Sequence, residues 1–177
     1  MSLLPLHLLG SPVLRQRSTE VATVDEGVKK FVADLFETMQ ASKGVGLAAN
    51  QVGVARRIAV VETDDTRLVL INPVIIEAEG RESAEEGCLS IPEVYADVTR
   101  PARVRVEATD LEGKRYTWEG EGLAARAVQH EIDHLDGILF LDHLGPIKRK
   151  MLLARYRKEH KDESYIKEVG STAAGSA

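Results

Sequence analysis

The stretch QHEIDHLDG, Gln129 to Gly137, places two imidazoles four residues apart with a carboxylate beside the first. On a helix, residues four apart share a face, so His130 and His134 reach one metal ion while Glu131 is offset toward the open side. That pattern suits metal-assisted hydrolysis: an ion acidifies water and polarises a carbonyl, and the carboxylate takes the water proton and passes it to the leaving group. Two ligands do not complete such a site, and two histidines hydrogen-bonded on a core helix compete with the catalytic reading. A third ligand decides. Downstream stand Asp142, His143, Glu159 and His160, none in a signature of the H-x-x-G-x-x-H kind. Upstream lies the only thiol, Cys88, in EEGCLSIPEV. A cysteine with two histidines is a competent catalytic set that leaves a position open for water, which makes Cys88 the best third ligand against the alternative of a small buried side chain.

The elements that must position these groups follow from spacing. Thr23 and Glu26 are placed as a capping box, and Val28, Phe31, Val32, Leu35, Phe36 and Met39 then recur at helical intervals as a packing face. Ser42 to Val54 breaks that period with three glycines and reads as a loop. RRIAVVET and TRLVLINPVII read as strands, the second ended by Asn72-Pro73. ARVRVEATDLEGKRYTWEG alternates and turns through Asp110 to Gly113, predicting a hairpin. Leu123 to Leu135 predicts a buried helix carrying the histidines, closed by Gly137. A third, basic helix is expected from Pro146 to about Val169. Strands mixed with three helices in no βαβ rhythm predict an α+β fold, with mixed and antiparallel sheets packed around the metal-binding helix and a C-terminal helix.

A chain of 177 residues with 44% hydrophobic and 29% charged residues has the composition of one folded domain, expected over residues 1–168 with a flexible tail at 169–177. The net charge of -5 is too small to steer the chain toward nucleic acid, so no sequence-specific nucleic-acid partner is expected. One cysteine cannot form an intramolecular disulfide, which suits a reducing compartment. MSLLPLHLLG has no basic region or apolar core of signal-peptide length, and no apolar run suffices to cross a bilayer. A cytoplasmic location and no membrane partner are expected. The GVG segment lacks a Gly-Lys-Ser/Thr ending, which argues against a phosphate loop.

Three segments stand in order: GVGLAANQ (Gly44 to Gln51), EGCLS (Glu86 to Ser90) and QHEIDHLDG. Together they resemble the bacterial peptide deformylases, which remove the formyl group from the N-terminal formyl-methionine of nascent chains, and the resemblance extends from LGSPVLRQRS to LFLDHLGPIKRK. It implies Cys88, His130 and His134 as metal ligands and Glu131 as general acid/base, in agreement with the reading of the residues. It adds the Gln51 side-chain amide and the Leu89 backbone N–H as donors to the oxyanion. It implies that the backbone at Val45 and Gly46 pairs with an extended peptide, beside a methionine pocket whose apolar candidates are Val45, Leu123 and Val128. Arg126 departs from an aliphatic lining; its stem would cover the pocket with its head in solvent. Tyr95 stands where some members carry a substrate-contacting Arg, Asn50 replaces a Pro or Thr and alters loop stiffness, and Arg100 reads equally as a salt bridge holding the loop. The resemblance favours Fe2+, with Zn2+, Ni2+ or Co2+ in its place. It also raises ribosome contact through the basic helix, whose plainer reading is a solvated surface. A zinc peptidase or amidase, and a binding module around a structural zinc, are the competing readings; the latter lacks a second cysteine to close the fourth position.

Overall fold

The computed structural model describes residues 2–170. Its centre is a five-stranded antiparallel sheet in the order β2 (Gly46–Ala48), β3 (Ile58–Glu62), β4 (Arg67–Glu79), β7 (Arg103–Thr109), β8 (Arg115–Glu121). Alternation decides what each face meets. Ile58 and Val60 of β3 pack with Leu47 and Ile71 against Val28, Val32, Leu35 and Met39 of α1 (Glu26–Ala41). Ala59 and Val61 pack with Leu70, Val104 and Val106 against Ala125, Val128, Ile132 and Leu135 of α2 (Gly122–Leu135). Buried on both faces, β3 has to be apolar at every position from Ile58 to Val61, which is why it reads as a continuous run.

A second antiparallel pair, β5 (Glu82–Cys88) and β6 (Ile91–Arg100), lies on the far side of α2. Ile91, Val94, Ala96 and Val98 of β6 form a separate cluster with Leu139, Phe140, Leu141 and Tyr156, the last on α3 (Pro146–Glu159). The smallest sheet pairs β1 (Leu6–His7) with β9 (Ile166–Lys167). Helices and antiparallel sheets arranged around α2 are the expected α+β fold. Among the described residues no helix is long and apolar enough to cross a membrane.

Three expectations need correction. The N-cap of α1 is Asp25, whose carboxylate accepts from Val28 N–H at 2.9 Å, so the helix starts without the Thr23–Glu26 box. β4 does not end at Asn72-Pro73: a register shift between Ile71 and Val74 absorbs the proline, and Asn72, at φ 50°, exchanges two 2.9 Å hydrogen bonds with the Val21 backbone. The third helix ends at Glu159, and the chain then returns to form β9. Of the expected tail at 169–177, Val169 packs against the α1 core; 171–177 lie outside the described residues.

Candidate active site

Helix α2 presents His130 and His134 one turn apart on the face opposite its sheet contacts, both buried. The hairpin β5–β6 turns through Leu89 and Ser90 and brings Cys88, the last residue of β5, to the same point. Cys88 Sγ lies 3.2 Å from His134 Nε2, which lies 3.2 Å from His130 Nε2. All three ligand atoms fall within 4.8 Å of one another, so residues 42 positions apart (130 − 88) make one donor cluster. Asp142, His143, Glu159 and His160 take no part in it.

Glu86 Oε1 is 3.0 Å from His130 Nδ1, which directs the Nε2 lone pair toward the cluster when Nδ1 carries the proton. Two buried arginines hold that carboxylate. Arg100 donates to it at 2.6 and 2.9 Å, and Arg126 Nη1 at 2.7 Å. Burial alone would raise the pKa of the Glu86 carboxyl, but His130 and Arg100 hold it well below the usual carboxylate range. Arg126 also donates to the carbonyls of Val98 and Glu82, so its head lies inside the protein and not in solvent. Arg100 continues to Asp133, which bonds His143. It is the salt bridge that holds the hairpin on α2.

The last turn of α2 is held as firmly. Asn50 donates to the His134 carbonyl at 2.5 Å, and Ser18 N–H and Arg57 donate to that of Leu135 at 2.8 and 3.0 Å. The Leu135 carbonyl has no partner within the helix and is satisfied by these donors, while the His134 carbonyl also accepts from Gly137 N–H at 3.0 Å, so Asn50 supplies its second bond. Gly137 follows at φ 76°, and a Cβ there would lie 2.7 Å from the Arg15 carbonyl oxygen, which excludes other residues twice over.

Gln51 sits beside Asn50 in the 3-10 turn Ala49–Val52. Its Oε1 accepts from Ala48 N–H at 2.9 Å, which fixes the sense of the amide and aims Nε2 at Ser90 Oγ (3.1 Å) and Cys88 Sγ (3.6 Å). Leu89 follows Cys88 in the turn and lines the same cleft. Glu131 is 4% exposed, and burial raises its carboxyl to about 7. Its Oε1 has no hydrogen-bond partner among the described residues. Burial would lower His130, but Cys88 and Glu86 raise it well above the imidazole range; burial and the His130 charge lower His134. The Cys88 sulfur and two imidazoles thus bring their lone pairs to one point beside a buried carboxyl, the donor set a divalent ion fits.

The cluster opens into a cleft of about 690 Å³ lined by Val45, Gly46, Leu89, Leu123, Arg126 and Glu131 among others. Just before β2 the Val45 carbonyl accepts from Glu62 N–H, so by antiparallel alternation the N–H and C=O of Gly46 face away from β3, along the sheet's free edge. Val45 and Leu123 are 41% and 58% exposed at the cleft. Val128 does not line it: fully buried, it packs between α2 and the sheet, because the period that turns His130 to the cleft turns Val128 to the core. Tyr95 is exposed at the rim. The reading of residues missed the Glu86 clamp and the role of Asn50; the only signal for Glu86 was its place two residues before Cys88.

The family model described as Polypeptide deformylase matches residues 3–150. The peptide deformylase of Mesorhizobium japonicum is 47% identical over 176 residues, covering 96% of this chain and all of that protein. That of Rhizobium meliloti is 46% identical over 167 residues, 91% of this chain and 96% of its own length. The crystal structure of the peptide deformylase from Ehrlichia chaffeensis superposes with a TM-score of 0.86 at 37% identity, covering 90% of this chain and 98% of that one. Match length, identity and shared fold agree with the geometry around Cys88, and the chain belongs to the polypeptide deformylase family of enzymes.

Proposed function

We propose that the protein hydrolyses the N-terminal formyl group of formyl-methionyl nascent polypeptides, releasing formate, with residues 1–168 acting as one catalytic domain. The observation that carries this reading is the convergence of Cys88, His130 and His134 beneath the free edge of β2, with the Gln51 amide and the Glu131 carboxylate on the same cleft. Cys88, His130 and His134 hold the metal. A divalent ion there supplies the Lewis acidity that activates water and polarises the formyl carbonyl. Fe2+ is the ion the family resemblance favours, and the thiolate–imidazole set also suits Zn2+, Ni2+ or Co2+.

Glu131 accepts the proton of the attacking water, and its buried carboxyl, raised to about 7, returns that proton to the departing amine nitrogen as the C–N bond breaks. The pre-set Gln51 Nε2–H and the Leu89 N–H donate to the oxygen of the tetrahedral carbon as it gains charge. Gly46 pairs with the peptide backbone, and Val45 and Leu123 offer apolar surface to the methionine side chain. Three protein ligands, and no fourth among the described residues, argue against a closed structural site. The setting is cytoplasmic. Ribosome contact would fall to Lys148, Arg149 and Lys150 of α3, and unchanged ribosome cosedimentation after their replacement would exclude it.

The test is formate release from formyl-Met-Ala-Ser by anaerobically prepared, iron-loaded protein, with acetyl-Met-Ala-Ser as control. Release from the formyl peptide alone, lost in Glu131→Gln with metal retained, is the expected result. No release, or equal cleavage of both peptides, would overturn the reading.

A further inference from the structure

One wall of the cleft is built after the family match has ended at residue 150. Beyond α3 the chain turns back so that β9 pairs antiparallel with β1, Lys167 opposite Leu6 and Ile166 opposite His7. Leu8 N–H donates to the Tyr165 carbonyl at 2.6 Å, Val169 packs against the α1 core, and Gly170, at φ +94°, lies against Leu3. The segment is therefore held by a strand pairing and a partly buried side chain. Leu6, Lys167, Val169 and Gly170 line the same cavity as Gln51, Cys88 and Glu131.

The two sides of that cavity differ in charge. Lys43, which follows α1, and Lys167 line it from the α1–β9 side, while Glu85 and Glu93 line it from the β5–β6 hairpin. Among the described residues none of these four makes an ion pair, so their charges are available to whatever enters. An extended peptide presents successive side chains alternately to its two sides. A substrate lying along the edge of β2 would therefore show one side chain to the lysines and the next to the glutamates, and like-charge encounters would be disfavoured on each side.

We propose that the segment Lys167–Gly170 is part of the peptide-binding cleft and that Lys167 is a specificity-determining residue favouring formyl-methionyl peptides with an acidic side chain downstream of the methionine. This rests on the deformylase reading above and extends it to the sequence that follows the methionine. Lys167 is exposed, so the preference is modest and salt-sensitive: about two- to fivefold, in keeping with solvent-exposed ion pairs.

The experiment uses the metal-loaded full chain and formyl-Met-Ala-Ala-Ala peptides in which each alanine is replaced in turn by Glu or by Lys. For the wild type, kcat/KM is expected to favour Glu over Lys by about two- to fivefold at one of these positions, with the difference carried by KM. Lys167→Arg should keep that ratio, Lys167→Ala should abolish it and Lys167→Glu should invert it; added salt should flatten it. An unchanged Glu/Lys ratio at every position across wild type, K167A and K167E would overturn the proposal while leaving deformylation intact. No formate from any peptide with the wild type would instead sink the deformylase reading, and this proposal with it.

Discussion

Replacing Gly46 by alanine asks whether the Glu131 carboxylate has to lie where the fold holds it. A Cβ at position 46 would lie 2.5 Å from Glu131 Oε2, 2.9 Å from Cδ and 3.0 Å from Cγ. Ordinary van der Waals contact begins at 3.4 Å, so the carboxylate must retreat by about 0.9 Å (3.4 − 2.5) or β2 must yield. β2 is tied to β3 at Gly46, Leu47 and Ala48, and moving it would break that ladder. The backbone of residue 46 is not in the left-handed region, so alanine adds contact and no backbone strain. Glu131 is therefore the part that moves. Displacing a reacting group by about 1 Å costs on the order of 100-fold in rate, or about 2.7 kcal/mol in the barrier. Gly46→Ala should lower kcat for formyl-Met-Ala-Ser by about that factor while keeping its metal, because the three atoms nearest the new methyl all belong to Glu131. Steady-state formate release is measured beside metal content and circular dichroism. A folded, metal-replete variant with kcat within about threefold of wild type would refute the claim that the position of Glu131 limits turnover.

Asn50→Ala should destabilise the protein by about 0.5–1.5 kcal/mol, since it removes one buried hydrogen bond from a carbonyl that keeps its bond to Gly137 N–H, an effect partly offset because Asn50 Oδ1 is itself unpartnered; an unchanged urea midpoint would contradict this. Tyr116 donates to the Val69 carbonyl, and burial raises its phenol to about 12 from the ordinary 10.0. The neutral form is favoured by folding, so this contribution is complete below pH 10 and lost as pH rises through about 12. Absorbance titration should show a late tyrosine ionisation that Tyr116→Phe removes, and its persistence in that variant would assign it elsewhere. Chelation should abolish formate release and expose Cys88 to alkylation, with Fe2+ or Ni2+ restoring both activity and protection. Equal alkylation rates with and without metal would remove Cys88 from the ligand set.

His130, Glu131 and His134 were legible because helical period alone places them, and Cys88 because no other thiol competes. Gln51 came only from the family resemblance; its role depends on an amide set by Ala48 N–H, which spacing does not encode. β5 escaped notice because ESAEEGC is polar along most of its length and owes its strand conformation to β6 and the clamp on Glu86. Arg126 was assigned to solvent because arginines are seldom buried, and the partner that permits its burial lies 40 positions away (126 − 86). β9 spans two residues, too few for any period, and β4 survives a proline by way of a bulge. What escaped the sequence is mostly polar and long-range, where pairing across the fold decides.

The adjacent residues Asn50 and Gln51 have a mechanical consequence. One grips the carbonyl of His134, the other reaches Cys88 and Ser90, so a single 3-10 turn links helix and hairpin from one side while Arg100 links them from the other. Sliding α2 against the hairpin would break several buried hydrogen bonds at once, so the donor cluster and Glu131 behave as a rigid body. Adaptation to different peptides then falls to the parts outside this brace, the exposed side chains of Leu123 and Tyr95, which change rotamer on the picosecond-to-nanosecond scale. The cleft is stiff at the reacting bond and compliant along the rest of the substrate.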